Sequence, residues 1–90
     1  MVRGRKDELG EALRLIVGRN VREARTQAGY SQRELCALVG MSQAYLSQVE
    51  SGTWNIAIDN IARIAIACNV PAYRLLHPTF GRRKTRTKID

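Results

Sequence analysis

Two helix signals that meet at an abrupt turn occupy residues 31–55, and they constrain the fold of this 90-residue chain more than any other feature. Ser31 stands three residues before Glu34, which is the spacing of a capping box at the start of a helix. Gly40 ends this segment at a position where a left-handed residue closes a helix most easily. Ser42 then offers a second N-cap. The stretch therefore predicts two short helices joined by a tight turn.

Apolar residues recur at three- and four-residue spacing on both sides of this stretch, which predicts further helices. We expect a first helix over residues 7–28 with Asp7 as its N-cap, a fourth over about residues 58–68, and a short fifth over residues 71–76. No segment has the alternation of a strand, so the expected class is all-α with five helices. The predicted inward-facing residues are Leu9, Leu13, Ile16, Val17, Val21, Ala24, Leu35, Leu38, Leu46, Val49, Ile58, Ile61, Ala62, Ala65 and Cys68.

Basic segments without apolar periodicity lie on both sides of the five predicted helices. Residues 1–6 are predicted to be a flexible basic arm, either solvated or in contact with a phosphate or a groove of DNA. Residues 7–77 form the predicted folded domain, and residues 78–90 a disordered basic tail, since GRRKTRTKID carries five basic residues in ten.

The charge balance points to a polyanionic partner. Fifteen Lys and Arg against eight Asp and Glu give a net charge of +7, with an isoelectric point near 10.3. Nucleic acid is the expected partner, ahead of a membrane surface. No apolar run approaches the roughly 18 residues of a membrane span, and the N-terminus lacks the pattern of a signal peptide. We therefore expect a cytoplasmic, nucleoid-associated protein without a membrane partner.

The residues that carry most catalytic and metal chemistry are scarce. Cys36 and Cys68 each lie in an apolar helical context, which predicts small buried thiols in a reducing compartment. His77 is the sole histidine, so no zinc-ligand set is available. No phosphate-binding glycine loop, paired carboxylates or nucleophile–histidine order is present. We expect neither an enzyme nor a cofactor or metal site.

The second of the two short central helices leaves an unusual surface uncovered. Two amides, one hydroxyl and no net charge suit the reading of base edges better than they suit solvation. These outward residues are Gln43, Ala44, Ser47 and Gln48, with Tyr45 beside them.

From residue 13 to residue 76, roughly 64 of the 90 residues, the chain resembles the Cro/C1-type helix-turn-helix family, the lambda-repressor-like regulators of bacteria and phages. It also resembles, less closely, the small controller proteins of restriction–modification systems. The motifs that carry the resemblance are residues 21–25 (VREAR), 31–35 (SQREL), 40–43 (GMSQ), 49–52 (VESG) and 67–70 (ACNV), together with Gly29 and Asn55.

The resemblance implies a compact five-helix domain in which the second and third helices form the helix-turn-helix. It further implies a homodimer that binds a palindromic double-stranded operator as a transcriptional regulator, with the third helix in the major groove. Glu50 is expected to hold the fold's own loop. By position, the residues that face bases are Gln43, Ala44, Ser47 and Gln48, and those near the DNA backbone are Gln32, Ser42, Tyr45 and Thr53.

Two departures from the family pattern stand out. A proline followed by serine or threonine usually opens the fourth helix, whereas this chain has Ile56 and Ala57, so the usual cap is missing. Ala44 replaces a polar base reader, which indicates contact with a thymine methyl group or no contact.

Surplus apolar residues beyond the core predict a subunit interface. The expected dimer residues are Trp54, Val70, Tyr73 and Leu75, although Trp54 alternatively covers the core or touches the DNA backbone. Because Ile64 and Ile66 make the fourth helix apolar almost all round, we expect more than one of its faces to be covered. The alternative function is an antitoxin-type module that binds a protein through the last two helices. No small-molecule effector is evident.

Overall fold

Four α-helices and one 3-10 helix follow one another in the computed structural model, which describes the backbone of residues 2–78 and the side chains of residues 8–78. The described part of the chain contains no strand, so the predicted all-α class is confirmed. The fifth predicted helix is a 3-10 helix. The elements are α1 (Val2–Gln27), α2 (Gln32–Val39), α3 (Gln43–Glu50), α4 (Ile58–Cys68) and the 3-10 helix (Ala72–Leu76).

The caps of α2 and α3 form as the sequence predicts. The Ser31 hydroxyl accepts from the Glu34 N–H at 3.0 Å, and the Glu34 carboxylate accepts from the Ser31 N–H at 2.8 Å. Gly40 ends α2 at φ 73°, in the left-handed region that glycine enters without steric cost. The Ser42 hydroxyl caps α3 through the Tyr45 N–H at 3.0 Å. Local chemistry therefore sets the turn between the two helices.

The start of α4 has no side-chain cap, as the departure from the family pattern predicts. Ala57 occupies the N-cap position, and its carbonyl accepts from the N–H groups of Asn60 and Ile61. The helix begins at Ile58 because its inner residues Ile61 and Ile64 are buried in the core. Tertiary packing thus replaces the missing cap.

The predicted start of α1 is wrong. The helix begins at Val2, so Asp7 is not its N-cap, and residues 2–6, predicted to be a flexible arm, are helical in backbone. Arginine and lysine are good helix formers, and the single Gly4 costs only about 1 kcal/mol. The pattern therefore contains nothing strong enough to stop the helix. Of the predicted basic tail, only Pro78 lies within the described residues.

The core lies where the four α-helices and the 3-10 helix meet. Its fully buried aliphatic residues are Val21, Leu35, Leu46, Val49, Ile64 and Leu75. Every helix in the described residues is too short or too polar to cross a membrane.

Several residues predicted to face inward are exposed. Leu9 and Leu13 lie on the N-terminal half of α1, where the neighbouring helices do not cover them. Leu38 on α2 is exposed, and Cys36 and Val39 are buried instead. On α4, Ile58 and Ala62 face outward because Ile61, Ile64, Ala65 and Cys68 form the buried face.

A buried asparagine seats the 3-10 helix on α1, which the sequence did not indicate. The Asn20 side-chain amide donates to the carbonyl oxygens of Leu75 at 2.9 Å and His77 at 2.7 Å. The adjacent Arg19 donates to the Pro78 carbonyl oxygen at 2.7 Å. These bonds satisfy main-chain acceptors at the end of the helix and hold this segment against α1.

Candidate nucleic-acid interface

The outer face of α3 brings the four predicted base-facing residues together. Gln43, Ala44, Ser47 and Gln48 are all exposed. They form two adjacent pairs, and each residue of the first pair lies four residues before its counterpart in the second, so all four share a single strip of the helix surface. The opposite face is anchored by Leu46 and Val49, which are buried. The helix therefore exposes two amides, a methyl group and a hydroxyl on one face, while its opposite face is packed into the core.

Contacts with α4 and with α1 also hold helix α3 in place. The Tyr45 hydroxyl accepts from the Asn60 side-chain amide at 3.2 Å, which ties α3 to α4. At the C-terminal end, Gly18 of α1 lies so close to the main-chain carbonyls of Val49 and Glu50 that a Cβ atom would collide with them. The orientation of the exposed strip is therefore set by α1 and α4.

Glu50, the last residue of α3, connects three elements. Its carboxylate accepts from Arg25 Nε at 2.7 Å and Arg25 Nη2 at 3.0 Å, and from Gln32 Nε2 at 3.0 Å. Arg25 also donates to the Tyr30 carbonyl oxygen at 2.9 Å. The hydrogen bond to Glu50 raises the pKa of Arg25 above its ordinary value. Glu50 thus holds the start of α2 to the end of α3, in the structural role expected of it.

The predicted DNA-backbone residues surround α3. Gln32 is half-buried and commits one amide N–H to Glu50, which leaves its second N–H for another acceptor. Ser42 is exposed and caps α3, while Tyr45 is half-buried. Thr53 follows α3, and its hydroxyl lies 2.9 Å from that of Ser51 and 3.3 Å from the Gln48 carbonyl oxygen. All four residues lie at or beside α3.

The predicted dimer residues do not share one exposed surface. Leu75 has no exposed surface, so its assignment to a dimer face is wrong; it fills the core between α1 and α4. Val70 is partly buried against the same core, whereas Tyr73 and Trp54 are exposed. The periodicity of a five-residue 3-10 helix is too short to separate its inner from its outer residues.

The sequence predicted that more than one face of α4 is covered, but it placed Ile58 and Ala62 inward and did not define the exposed surface that they form with Ile66, which we call the outer α4 face (Ile58, Ala62 and Ile66). Ile58 is 77% exposed and Ile66 is 78% exposed. Ile58, Ala62 and Ile66 follow one another at steps of four residues, which places them in one row along the helix. The signal was present in the sequence, because α4 is apolar almost all round and only one side of it faces the core.

A half-open apolar groove of about 250 Å³ lies between α1 and the loop that follows α3. Its walls include Leu13, Val17, Trp54, Ile58 and Leu76. The volume is below the roughly 300 Å³ at which small-molecule sites usually begin. Within the described residues, no three His, Cys, Asp or Glu side chains cluster closely enough to hold a metal ion.

Comparison with known proteins agrees with this geometry. Residues 21–75 match the helix-turn-helix family. The chain is 43% identical over 75 residues to a hypothetical transcription factor of Neisseria meningitidis, covering 83% of this chain and 71% of that protein. It is 35% identical to the control protein C.BamHI of Bacillus amyloliquefaciens, covering 71% of this chain and 80% of that one.

Two solved structures share the fold. The crystal structure of the hypothetical transcription factor NHTF from Neisseria superposes with a TM-score of 0.72 at 42% identity, covering 81% of this chain and 84% of that one. The restriction-modification controller protein C.AhdI from Aeromonas hydrophila gives a TM-score of 0.68 at 34% identity, covering 72% of this chain and 94% of that one. The chain belongs to the Cro/C1-type helix-turn-helix family of DNA-binding transcriptional regulators.

Proposed function

We propose that this protein is a sequence-specific repressor or autoregulator that binds a palindromic operator as a homodimer. The observation that carries the proposal is the exposed strip of Gln43, Ala44, Ser47 and Gln48 on a helix that α1 and α4 hold in place. A fixed helix that presents uncharged hydrogen-bonding groups discriminates between bases, because each base edge needs its partner at a defined position.

The chemistry of this strip favours A·T pairs in the half-site. A glutamine amide donates to adenine N7 and accepts from adenine N6, so Gln43 and Gln48 both suit adenine. Ala44 offers a methyl group that packs against the thymine methyl. Ser47 hydrogen-bonds to more than one base and adds little discrimination of its own.

The surrounding residues suit the DNA backbone. The uncommitted N–H of Gln32 and the hydroxyl of Tyr45 are neutral donors at the margins of the strip, and Thr53 lies beside them with its hydroxyl proton directed at the Gln48 carbonyl oxygen. Ser42 uses its hydroxyl oxygen as the N-cap of α3 and can still donate its proton to a phosphate. Contacts of this kind fix the register of the protein on the duplex without reading its sequence.

The outer α4 face, with Tyr73, is the surface we assign to the homodimer. A two-fold axis through this surface would give the dimer two copies of α3, and each copy would read one of two half-sites that lie about 34 Å apart. The same exposed row supports the alternative, an antitoxin-type module whose main partner is another protein. Similarity to two control proteins favours the regulator.

Selection from a library of random duplexes tests the proposal. The wild-type protein should enrich an inverted repeat with A·T pairs at the positions that Gln43 and Gln48 reach. Gln48→Ala should cost about 1–3 kcal/mol on the enriched operator and leave binding to random duplex nearly unchanged. Gln32→Ala is the matched control, and it should weaken both by similar factors. No enrichment, together with a tight complex with a neighbouring gene's product, would favour the antitoxin alternative.

A further inference from the structure

A second depression opens between α1 and the loop that follows α3, beside the apolar groove, with which it shares Arg14, Trp54 and Asn55. We call it the polar cleft and define it by Arg14, Thr53, Trp54 and Asn55, which line a volume of about 310 Å³. Arg14 comes from α1, and the other three are consecutive loop residues. An arginine, a threonine, a tryptophan and an asparagine therefore line one space, and no residue with a carboxylate lines it.

The strongest donors of the polar cleft are uncommitted. Arg14 is half-buried, and within the described residues its guanidinium has neither a hydrogen bond nor an ion pair. The side chains of Trp54 and Asn55 likewise make no hydrogen bond in the described part of the chain. This contrasts with Arg25, whose three guanidinium nitrogens each donate a hydrogen bond, to Glu50 or to the Tyr30 carbonyl oxygen. Arg14 is therefore a positive charge without a counter-ion among the described residues.

The polar cleft is attached directly to the recognition helix. The Thr53 N–H donates to the carbonyl oxygen of Gln48 at 3.2 Å, and the Thr53 hydroxyl lies 3.3 Å from the same oxygen. Gln48 is the last of the four base-facing residues. Phosphates line both edges of the major groove. When α3 reads bases in the groove, the loop that follows α3 therefore lies near the phosphates of one edge.

We propose that the polar cleft binds a phosphodiester group of the operator that flanks the bases read by α3; this rests on the proposed function. The Arg14 guanidinium forms the charged contact with the two non-bridging phosphate oxygens, since its planar fork matches their geometry. The Asn55 amide and the Trp54 indole N–H donate to the same group. Arg14 is then a DNA-contacting residue on α1, far from the helix-turn-helix in sequence.

The salt dependence of DNA affinity tests the charged contact. Loss of one phosphate contact flattens the dependence of log K on log salt by about 0.9. We expect this change for Arg14→Ala on both a random duplex and the selected operator, with the ratio of the two affinities unchanged. Arg14→Lys keeps the charge and should retain the wild-type slope. Asn55→Ala should lower affinity without changing the slope, because it removes a neutral donor.

Arg22→Ala is the matched control, since it removes the same charge from an exposed position of α1 that does not line the polar cleft. Its slope should stay parallel to that of the wild type. If the wild type binds duplex DNA, two results would overturn the proposal. One is a salt slope in Arg14→Ala equal to that of the wild type, and the other is an equal flattening of the slope in Arg14→Ala and Arg22→Ala. Failure of the wild-type protein to bind any duplex would instead overturn the proposed function, and the contact with it. Circular dichroism checks that each variant is folded.

Trp54 is the sole tryptophan, so its fluorescence reports on the polar cleft. Duplex DNA should shift its emission in the wild type and much less in Arg14→Ala. A parallel titration with inorganic phosphate at millimolar concentration separates a DNA phosphate from a free anion. If inorganic phosphate alone reproduces the full shift and the salt slope of Arg14→Ala is unchanged, the cleft is a free-anion site and the DNA contact is wrong.

Discussion

The carbonyl oxygen of Val49 occupies the space that a Cβ atom at Gly18 would fill, so α1 and α3 meet main chain to main chain. The Glu50 carbonyl oxygen lies only 2.9 Å from the same position. A glycine within a helix costs about 1 kcal/mol relative to alanine. At Gly18 this cost is offset because α3 can approach α1 closely, and that approach sets where the recognition strip lies.

Gly18→Ala should therefore destabilise the fold even though alanine is the better helix former. Main-chain carbonyls cannot move aside as a flexible side chain can, so α3 must shift, at a cost of about 1–3 kcal/mol. Urea unfolding measures the loss. Gly10→Ala is the matched control on the same helix, because its nearest neighbour would be Arg14 Nη1 at 3.5 Å. It should be neutral or stabilising by up to about 1 kcal/mol; an equal effect of both substitutions would contradict the close approach.

A second prediction concerns the ion pair between Arg25 and Glu50, whose side chains are only 11% and 4% exposed. Removing either partner leaves the other charge buried without compensation, so Arg25→Ala and Glu50→Ala should each cost about 3–5 kcal/mol. The double variant should cost clearly less than the sum of the two. Glu11→Ala, at an exposed position, is the control and should change stability by no more than about 0.5 kcal/mol. Additive losses would show that the pair is not coupled.

The helix-turn-helix could be predicted from the sequence because local chemistry specifies it. The capping box at Ser31, the left-handed Gly40 and the cap at Ser42 each act within a few residues, and all three form. The exposed strip of α3 followed from the same helical period. Helix α4 is apolar on more than one side, so the helical spacing of its apolar residues does not identify the side that faces the core. The sequence placed Ile58 inward for this reason.

Other features depend on contacts between distant segments and left no local signal. Asn20 is buried because the 3-10 helix supplies carbonyl acceptors for it, and a lone polar residue in a helix does not indicate that. Arg14 looks like any solvated arginine until α1 is seen beside the Thr53–Asn55 loop. Nothing in the residues around Gly18 accounts for a glycine inside a helix, and only the position of α3 explains it.

The oligomeric state provides the third prediction. Ile66→Asp on the outer α4 face should convert the proposed homodimer into a monomer at micromolar concentration, since a buried carboxylate at the interface would be unpaired. Analytical ultracentrifugation measures the change, and operator affinity should fall with it. Leu38→Asp introduces the same charge at another exposed position, on α2, and should leave the dimer intact. A wild-type protein that stays monomeric with and without DNA would refute the paired half-sites.

The last prediction concerns pH and the two thiols. Burial raises the pKa of Cys36 and of Cys68, against the lowering effect of the Arg25 charge. In the unfolded chain these thiols ionise near their ordinary value of about 8.5, whereas in the folded protein they keep their protons to higher pH. The folded state therefore binds more protons above that pH, and stability should fall as pH rises through the interval between the two pKa values. Below it the thiols contribute no pH dependence.

The Cys36→Ala, Cys68→Ala double variant isolates this contribution, since all other titrating groups are shared with the wild type. Urea midpoints measured from pH 7 to pH 10 should fall more steeply for the wild type than for the variant, and the two curves should run parallel below about pH 8. At pH 8.5, iodoacetamide should modify both thiols readily in urea and only slowly in the native protein, because the thiolate is the reactive form and both side chains are buried. Parallel midpoints over the whole range, or rapid native alkylation, would show that the thiols titrate as they do in water.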